Sequence, residues 1–264
     1  MKSKYLSVFK VFSKNAMAYR AEITLDAVFY MLSSLVMVAV WIAVYHFSNL
    51  TSISGITISS MTVYLFAIGS IGFLSWPGVA NVLESDMRSG EIASSLIRPI
   101  KYPYATFVRE IPENLIFSFA GTLPIFVIIY VIAGLHLTAM QVLMLVIEMV
   151  LAYLIINFIG FIIGSLAIYL TDIYGILNGV TWTFSLLGGG IMPLLLYPKI
   201  FYGILMLTPF PFLYYVPGGT FTGIIPAAQL PGLVAEGAIW ALILLAISVV
   251  VWRRVSRDIN AVGV

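Results

Sequence analysis

Residues 139–170 read AMQVLMLVIEMVLAYLIINFIGFIIGSLAIYL, and this stretch decides the fold class. One ionisable side chain, Glu148, interrupts an otherwise uncharged and mainly apolar run. A helix of about 20 such residues crosses the hydrocarbon core of a bilayer. This segment is longer, so as a helix it tilts or projects beyond the membrane. We therefore predict a transmembrane helix over 139–170.

The rest of the chain has the same character. Hydrophobic residues make up 61% of the 264 residues and charged residues 9%, against about 25% charged residues in a soluble domain. Lipid is therefore the solvent for most of the surface, and residues 1–264 are predicted to form a single transmembrane domain. We predict an all-α membrane protein with six transmembrane helices, at 23–47, 61–82, 105–133, 139–170, 174–197 and 233–252.

The first 22 residues carry an apolar stripe at helical spacing, with lysines on another face. The stripe consists of Tyr5, Phe9, Phe12, Ala16 and Tyr19. This pattern is typical of an amphipathic helix that lies in the membrane interface. We predict such an interfacial helix over 1–22. An ordinary soluble cap over the helix bundle is the alternative.

Prolines and glycines predict irregular helices in three places. Pro112 and Pro124 fall inside the third span and predict kinks or a break. Glycines at 188–190, followed by Pro193, predict a loosened fifth helix, which suits either a gate or plain packing. Residues 198–231 hold many prolines, glycines and aromatic residues, too broken for a span and too apolar for a free loop. We predict outer re-entrant helices there.

The basic residues give the orientation. With six spans and an inner N-terminus, twelve of the thirteen lysines and arginines lie on the cytoplasmic side, and Lys199 lies outside. Cytoplasmic loops carry such an excess of basic residues. We therefore predict a multi-pass protein of the plasma or inner membrane with both termini in the cytoplasm.

The sequence lacks the signatures of several other classes. No glycine-rich P-loop is present, so we predict that this chain binds neither ATP nor another cofactor. The chain has no cysteine, which excludes disulfides, iron–sulfur clusters and thiol catalysis. His46 and His136 are far apart in the sequence and predict no metal site. We expect neither catalytic residues nor a nucleic-acid partner.

Glu148 and Asn157 are the polar residues singled out inside the fourth span. A carboxyl group in a bilayer faces the bundle interior or a wet cavity. These side chains therefore line a substrate path, carry a proton, or hold two helices together, and the sequence leaves these alternatives open. Glycines four residues apart, at 160 and 164 and at 175 and 179, allow close helix packing, within the subunit or between subunits.

The largest polar segment between spans is residues 84–104, ESDMRSGEIASSLIRPIKYPY, which we name the coupling segment. Residues 91–98 predict a short helix with an acidic first turn, where Ile92 and Leu96 give an apolar side. Pro99 stops this helix. A short amphipathic helix on the cytoplasmic side is suited to dock into a groove of another protein. A connector that only caps the bundle is the alternative.

The run at 84–92, continued by LIRPI at 96–100, resembles the R-x-G-E and R-P region of the ABC-2 family of permeases. The basic start, the six-span layout and the PFPF stretch at 209–212 resemble that family as well. The resemblance implies a coupling helix that contacts a separate ATPase subunit, which binds ATP and magnesium. Carried over to this sequence, the coupling residues are Glu84, Asp86, Arg88, Gly90, Glu91, Leu96, Arg98 and Pro99.

The resemblance also implies a second permease subunit, expected to be a homologous but different chain, and outer helices that close the pathway. Our leading hypothesis is therefore the permease subunit of an ATP-driven exporter for a hydrophobic or amphipathic substrate. A secondary transporter or channel that uses Glu148 without an ATPase is the alternative. A membrane-embedded enzyme or assembly factor is a third hypothesis.

Overall fold

The computed structural model describes residues 2–18, 20–72, 76–92, 101–170 and 172–262. Within these ranges the chain is helical apart from its connections and one short antiparallel hairpin, in which β1 (Ser52–Ile53) pairs with β2 (Ile56–Thr57). The hairpin turn places Ser54 and Gly55 at positive φ, as a tight two-residue turn requires. The predicted polar loop after the first span thus contains a small hairpin.

The α-helices are joined by short connections, and several of these contain 3₁₀ turns. The helices are α1 (Lys2–Ala18), α2 (Arg20–Ser48), α3 (Ile58–Ile71), α4 (Gly78–Arg88), α5 (Tyr102–Phe117), α6 (Leu123–Ile132), α7 (Ala139–Ser165), α8 (Tyr174–Leu187), α9 (Lys199–Met206), α10 (Tyr215–Thr222) and α11 (Leu230–Val262).

Three helical stretches among the described residues are long and apolar enough to cross a membrane: Val28–Ser48, Ala139–Ile168 and Ala227–Asp258. They fall in the predicted first, fourth and sixth spans. Two shorter apolar helices, α3 and α6, fall in the predicted second and third spans. The chain is therefore an all-α membrane protein.

The predicted second span is not a single helix. α3 ends at Ile71, and α4 starts at Gly78 immediately after Pro77. Proline has no N–H to donate and disfavours helical geometry in the residue before it. A predicted helix over 61–82 is therefore wrong, and α4 becomes a separate element that leads into the coupling segment.

The third span is irregular at one of its two prolines. α5 continues through Pro112, but the helix passes into a π-helical turn at Ser118–Thr122 before α6 begins. Pro124 follows this turn, and a proline ring clashes with the carbonyl four residues earlier, which the wider turn relieves.

The predicted fifth span, 174–197, is also too long, because α8 ends at Leu187. Gly189 follows with φ +91°, and a side chain there would lie 2.8 Å from the Tyr64 hydroxyl. The Tyr64 hydroxyl donates to the Gly189 carbonyl at 2.7 Å. The glycine turn is therefore packed tightly against α3.

α7 packs against α4, α10 and α11. One large hydrophobic cluster joins α2, α3, α6, α7, α8, α9, α10 and the first half of α11. A smaller cluster lies at the other end of the bundle, where α4, α5 and the last turns of α11 meet α7. This smaller cluster supports the described part of the coupling segment.

Candidate functional site

The coupling segment is described at residues 84–92 and 101–104. Leu96, Arg98 and Pro99, three of the predicted coupling residues, lie outside the described residues. α4 ends at Arg88, and Gly90 follows in the left-handed region with φ +71°. Glu91 is exposed, whereas Ile92 is buried. Gly90 therefore has the left-handed conformation that is common just after the end of a helix.

Asp86 is the buried acidic residue of this segment, and 1% of its surface is exposed. Its Oδ2 accepts hydrogen bonds from the Tyr102 hydroxyl at 2.8 Å and from Arg109 Nη1 at 2.6 Å. Burial raises the pKa of Tyr102, and the neighbouring Asp86 carboxylate raises it further, so the phenol stays a donor. Asp86 thus fastens the end of α4 to α5.

Two aromatic contacts extend this polar junction to other helices. The Tyr102 ring stacks on Trp252 of α11, with ring centroids 5.1 Å apart. The Arg109 guanidinium lies 5.0 Å from the centre of the Phe12 ring of α1, in a cation–π arrangement. The junction around Asp86 therefore joins α1, α4, α5 and α11.

Two other predicted coupling residues, Arg88 and Glu91, are exposed. Glu84 and Arg88, one turn apart on α4, form an ion pair at 3.5 Å. The Arg88 side chain is 57% exposed, while that of Glu84 is 15% exposed. The described segment thus has an outer face with Arg88 and Glu91 and an inner face with Asp86. Asp86 can act on an outside partner only by positioning the segment.

The N-terminal end of α4 is pressed against α7. A Cβ added at Gly160 would lie 2.7 Å from Pro77 Cβ, and one added at Gly164 would lie 2.9 Å from Ala80 Cα. The first glycine pair thus packs within the chain, in the close approach that small residues permit. By contrast, a side chain on Gly175 or Gly179 would meet nothing within 4 Å. The second pair leaves an open face on α8.

Asn157 takes part in this contact and is fully buried. Its Oδ1 accepts a hydrogen bond from the Val79 N–H at 3.2 Å, and its Nδ2 donates to the Tyr153 carbonyl at 3.0 Å. A helix start leaves its first N–H groups without partners. Asn157 therefore caps α4 from a neighbouring helix.

Glu110 is a buried residue that the sequence reasoning missed, with 8% of its surface exposed. Its Oε1 lies against Gly78, so close that a Cβ at this glycine would overlap it. The carboxyl group at this position faces the positive end of the α4 dipole. The signal was present in the sequence, because Glu110 falls within the predicted third span, just as Glu148 falls within the fourth.

Glu148 lies in a second polar contact, toward the other end of α7. Its Oε1 accepts a hydrogen bond from the Thr220 hydroxyl of α10 at 3.0 Å, and both residues are buried. Its Oε2 is buried without a hydrogen-bond partner. The structure does not bring Glu148 and Asn157 into one site, since Asn157 bonds toward α4 and Glu148 toward α10.

Known proteins share the pattern of this chain over most of its length. A family model described as "ABC-2 family transporter protein" matches residues 30–263. A search of curated proteins finds no match. Among the described residues, no three histidine, aspartate or glutamate side chains come together as a metal site would need.

Proposed function

Because this chain belongs to the ABC-2 transporter family, we propose that it is the permease subunit of an ATP-driven exporter. A membrane protein of this family works with an ATPase subunit. In the proposal, the ATPase binds ATP and magnesium and pushes on the coupling segment. The substrate is a hydrophobic or amphipathic molecule that moves outward between this chain and a homologous second permease.

The observation that carries the proposal is the attachment of α4 at both ends. Asp86 holds its cytoplasmic end through Tyr102 and Arg109. Gly164 and Asn157 of α7 hold its other end. A displacement of residues 84–92 would therefore move α5 and α7 together with α4, because no flexible connection separates them. Switching elements of this kind move as rigid bodies.

The contacts at the two ends of the bundle support an even number of crossings, with both termini on the same side of the membrane. At one end, Arg109 meets Phe12 of α1, and the Tyr169 hydroxyl donates to Asp258 near the end of α11. At the other end, the Tyr45 hydroxyl donates to the Ile56 carbonyl of the hairpin at 2.7 Å. The elements predicted to be cytoplasmic thus gather at one end, apart from those predicted to be outside.

The open face of α8 supports the proposal that a second permease binds to this chain. Gly175 and Gly179 meet no neighbour, and the Trp182 side chain on the same helix is 70% exposed. A helix with small residues on an open face can approach another transmembrane helix closely. We place the partner permease at this face.

The test of the coupling role is recovery of ATPase activity with the tagged chain after purification from its native membrane. We expect the double variant Glu91→Lys with Arg98→Glu to lower the recovered ATPase activity at least about tenfold, since like charges that face each other across an interface cost several kcal/mol. Lys199→Glu with Glu236→Lys is the matched control, because these charges lie on the predicted outer side. Equal recovery from both double variants would contradict the coupling role.

Cysteine labelling can test the orientation of the chain in the membrane. The native chain has no cysteine and therefore gives no background labelling. Single cysteines at Lys10 and Arg257 should be protected from an impermeant maleimide in sealed right-side-out vesicles. Cysteines at Thr51 and His136 should react. If the cysteines at positions 10 and 257 reacted, the prediction that both termini are cytoplasmic would be wrong.

The alternative, a transporter that needs no ATPase, has one observation in its favour. Glu148 Oε2 is buried without a hydrogen-bond partner, as a proton-binding carboxyl group would be. Transport that survives removal of every ATPase subunit but stops in Glu148→Gln would establish this alternative and overturn the exporter proposal.

A further inference from the structure

The first helix, α1, has one face that is exposed along its length. Exposed and half-buried positions follow each other there with helical spacing. Phe9 and Phe12, two members of the predicted apolar stripe, are half-buried, and α1 packs against α5, where Phe12 contacts Arg109. The residues of the opposite side, which we name the exposed face of α1, are Leu6, Ser7, Lys10, Val11 and Lys14. The helix thus turns phenylalanines toward the bundle and lysines away from it.

The two lysines of this face are not neutralised by the chain itself. Neither Lys10 nor Lys14 forms an ion pair among the residues that the structure describes. α1 contains no aspartate or glutamate. Residues four apart on a helix have their Cβ atoms about 6 Å from each other. Two ammonium groups at this spacing can bind one anionic group between them.

Apolar side chains lie beside these lysines. Leu6 is 54% exposed and Val11 is 57% exposed. A lysine carries its charge at the end of an apolar stem, so a face that combines lysines with aliphatic residues suits the boundary between lipid headgroups and acyl chains. An aqueous surrounding would leave both aliphatic side chains in contact with water. The composition of the exposed face therefore favours a lipid surface.

The level of α1 along the bundle agrees with this surrounding. Phe12 contacts Arg109, which belongs to the junction around Asp86. Trp252 of α11 is joined to the same junction through Tyr102. Trp252 lies near the end of a membrane-crossing stretch and is followed directly by two arginines. Tryptophan and basic residues at the end of a transmembrane helix are typical of the inner interface, so α1 lies at the level of the headgroups.

We propose that the exposed face of α1 binds an anionic phospholipid, with its phosphate between Lys10 and Lys14 and its acyl chains beside Leu6 and Val11. Phosphatidylcholine also carries a phosphate, but its choline group cancels the charge. The site therefore selects lipids of net negative charge. Binding needs neither an ATPase nor a second permease, so this proposal does not depend on the proposed function and can fail separately from it.

The experiment uses the purified full chain in phosphatidylcholine nanodiscs. Ser7→Cys supplies a single cysteine on the exposed face, which is labelled with a small fluorophore. Phosphatidylglycerol or phosphatidylcholine with brominated acyl chains is included at the same low fraction, and quenching of the fluorophore measures the relative affinity of the two lipids. Each lysine near an anionic lipid contributes about fivefold in affinity, so the pair should favour phosphatidylglycerol about 25-fold.

Three variants of the labelled chain decide the outcome. Lys10→Gln with Lys14→Gln should make quenching by the two lipids equal. Lys10→Arg with Lys14→Arg keeps both charges and should retain the preference, and Lys199→Gln, on the predicted outer side, should leave it unchanged.

Equal quenching by both lipids in the chain that keeps its lysines, or a preference that survives the glutamine pair, would overturn the proposal. A third result would overturn it as well. If the chain with both lysines showed no lipid preference while the glutamine pair lowered the recovered ATPase activity, a protein would occupy the exposed face of α1.

Discussion

The close contact between α4 and α7 can be tested with one added methyl group. In Gly164→Ala, the new Cβ would lie 2.9 Å from Ala80 Cα, 3.0 Å from Leu83 Cβ and 3.1 Å from the Ala80 carbonyl oxygen. Two of these three atoms belong to the backbone, so no side-chain rotation can relieve the clash. α4 must move away from α7 by several tenths of an ångström.

The expected loss in stability follows from two opposing effects. Overpacking in a well-packed interior costs about 1–3 kcal/mol. Replacing glycine by alanine in a helix contributes up to about 1 kcal/mol in the favourable direction. The two effects together leave a loss between about 0 and 3 kcal/mol, and we expect Gly164→Ala to lower the free energy of unfolding by an amount near the middle of this range, about 1–2 kcal/mol.

Gly179→Ala is the matched control, because it is the same substitution in a helical glycine with nothing within 4 Å of the new Cβ. At this position alanine brings its higher helix propensity without a clash. The free energy of unfolding should therefore stay unchanged or rise by up to about 1 kcal/mol. The assay is equilibrium unfolding of the purified chain in mixed micelles, followed by circular dichroism. Similar stability changes for both variants would refute the close contact between α4 and α7.

Three further predictions concern single polar contacts. Asp86→Asn removes the ion pair with Arg109 and should lower the free energy of unfolding by about 2–3 kcal/mol in the same unfolding assay. The loss is smaller than for a fully buried ion pair, because the Arg109 side chain is 21% exposed. Thr220→Val should cost about 1–3 kcal/mol because it leaves Glu148 buried without a donor, whereas Glu148→Gln keeps an acceptor and should cost less; equal losses would argue against this bond. Tyr64→Phe should cost about 1 kcal/mol through the lost bond to the glycine turn after α8, seen as a lower melting temperature, and no change would contradict that bond.

The sequence was sufficient for the membrane character of the chain, because composition alone decides which solvent a surface can face. Residues 139–170 predict one long helix, and the structure has α7 and its 3₁₀ extension there. The irregularity at Pro124 was also predictable, since it arises from the proline ring and its own helix. Both features depend on residues close together in the sequence, so they could be predicted without knowledge of the fold.

The sequence was not sufficient where contacts join distant segments. Hydropathy stays high through Pro77, so apolar composition does not indicate the break before Gly78. The contact of Glu110 with Gly78 joins two different spans, so neither residue reveals it alone. The resemblance predicts Asp86 as a coupling residue, but a polar run does not reveal which of its residues are exposed, and in the structure Asp86 is buried.

The length of the final helix has a consequence for how a soluble subunit would sit. α11 has 33 residues and is about 50 Å long at 1.5 Å per residue, while the hydrocarbon core is about 30 Å thick. Trp252, which stacks on Tyr102, marks the level of the junction around Asp86, and ten residues follow it to Val262. The last turns of α11 therefore extend about 15 Å beyond this level, beside the coupling segment. A subunit that docked on that segment would also contact the side of α11, which would limit the directions from which it could approach.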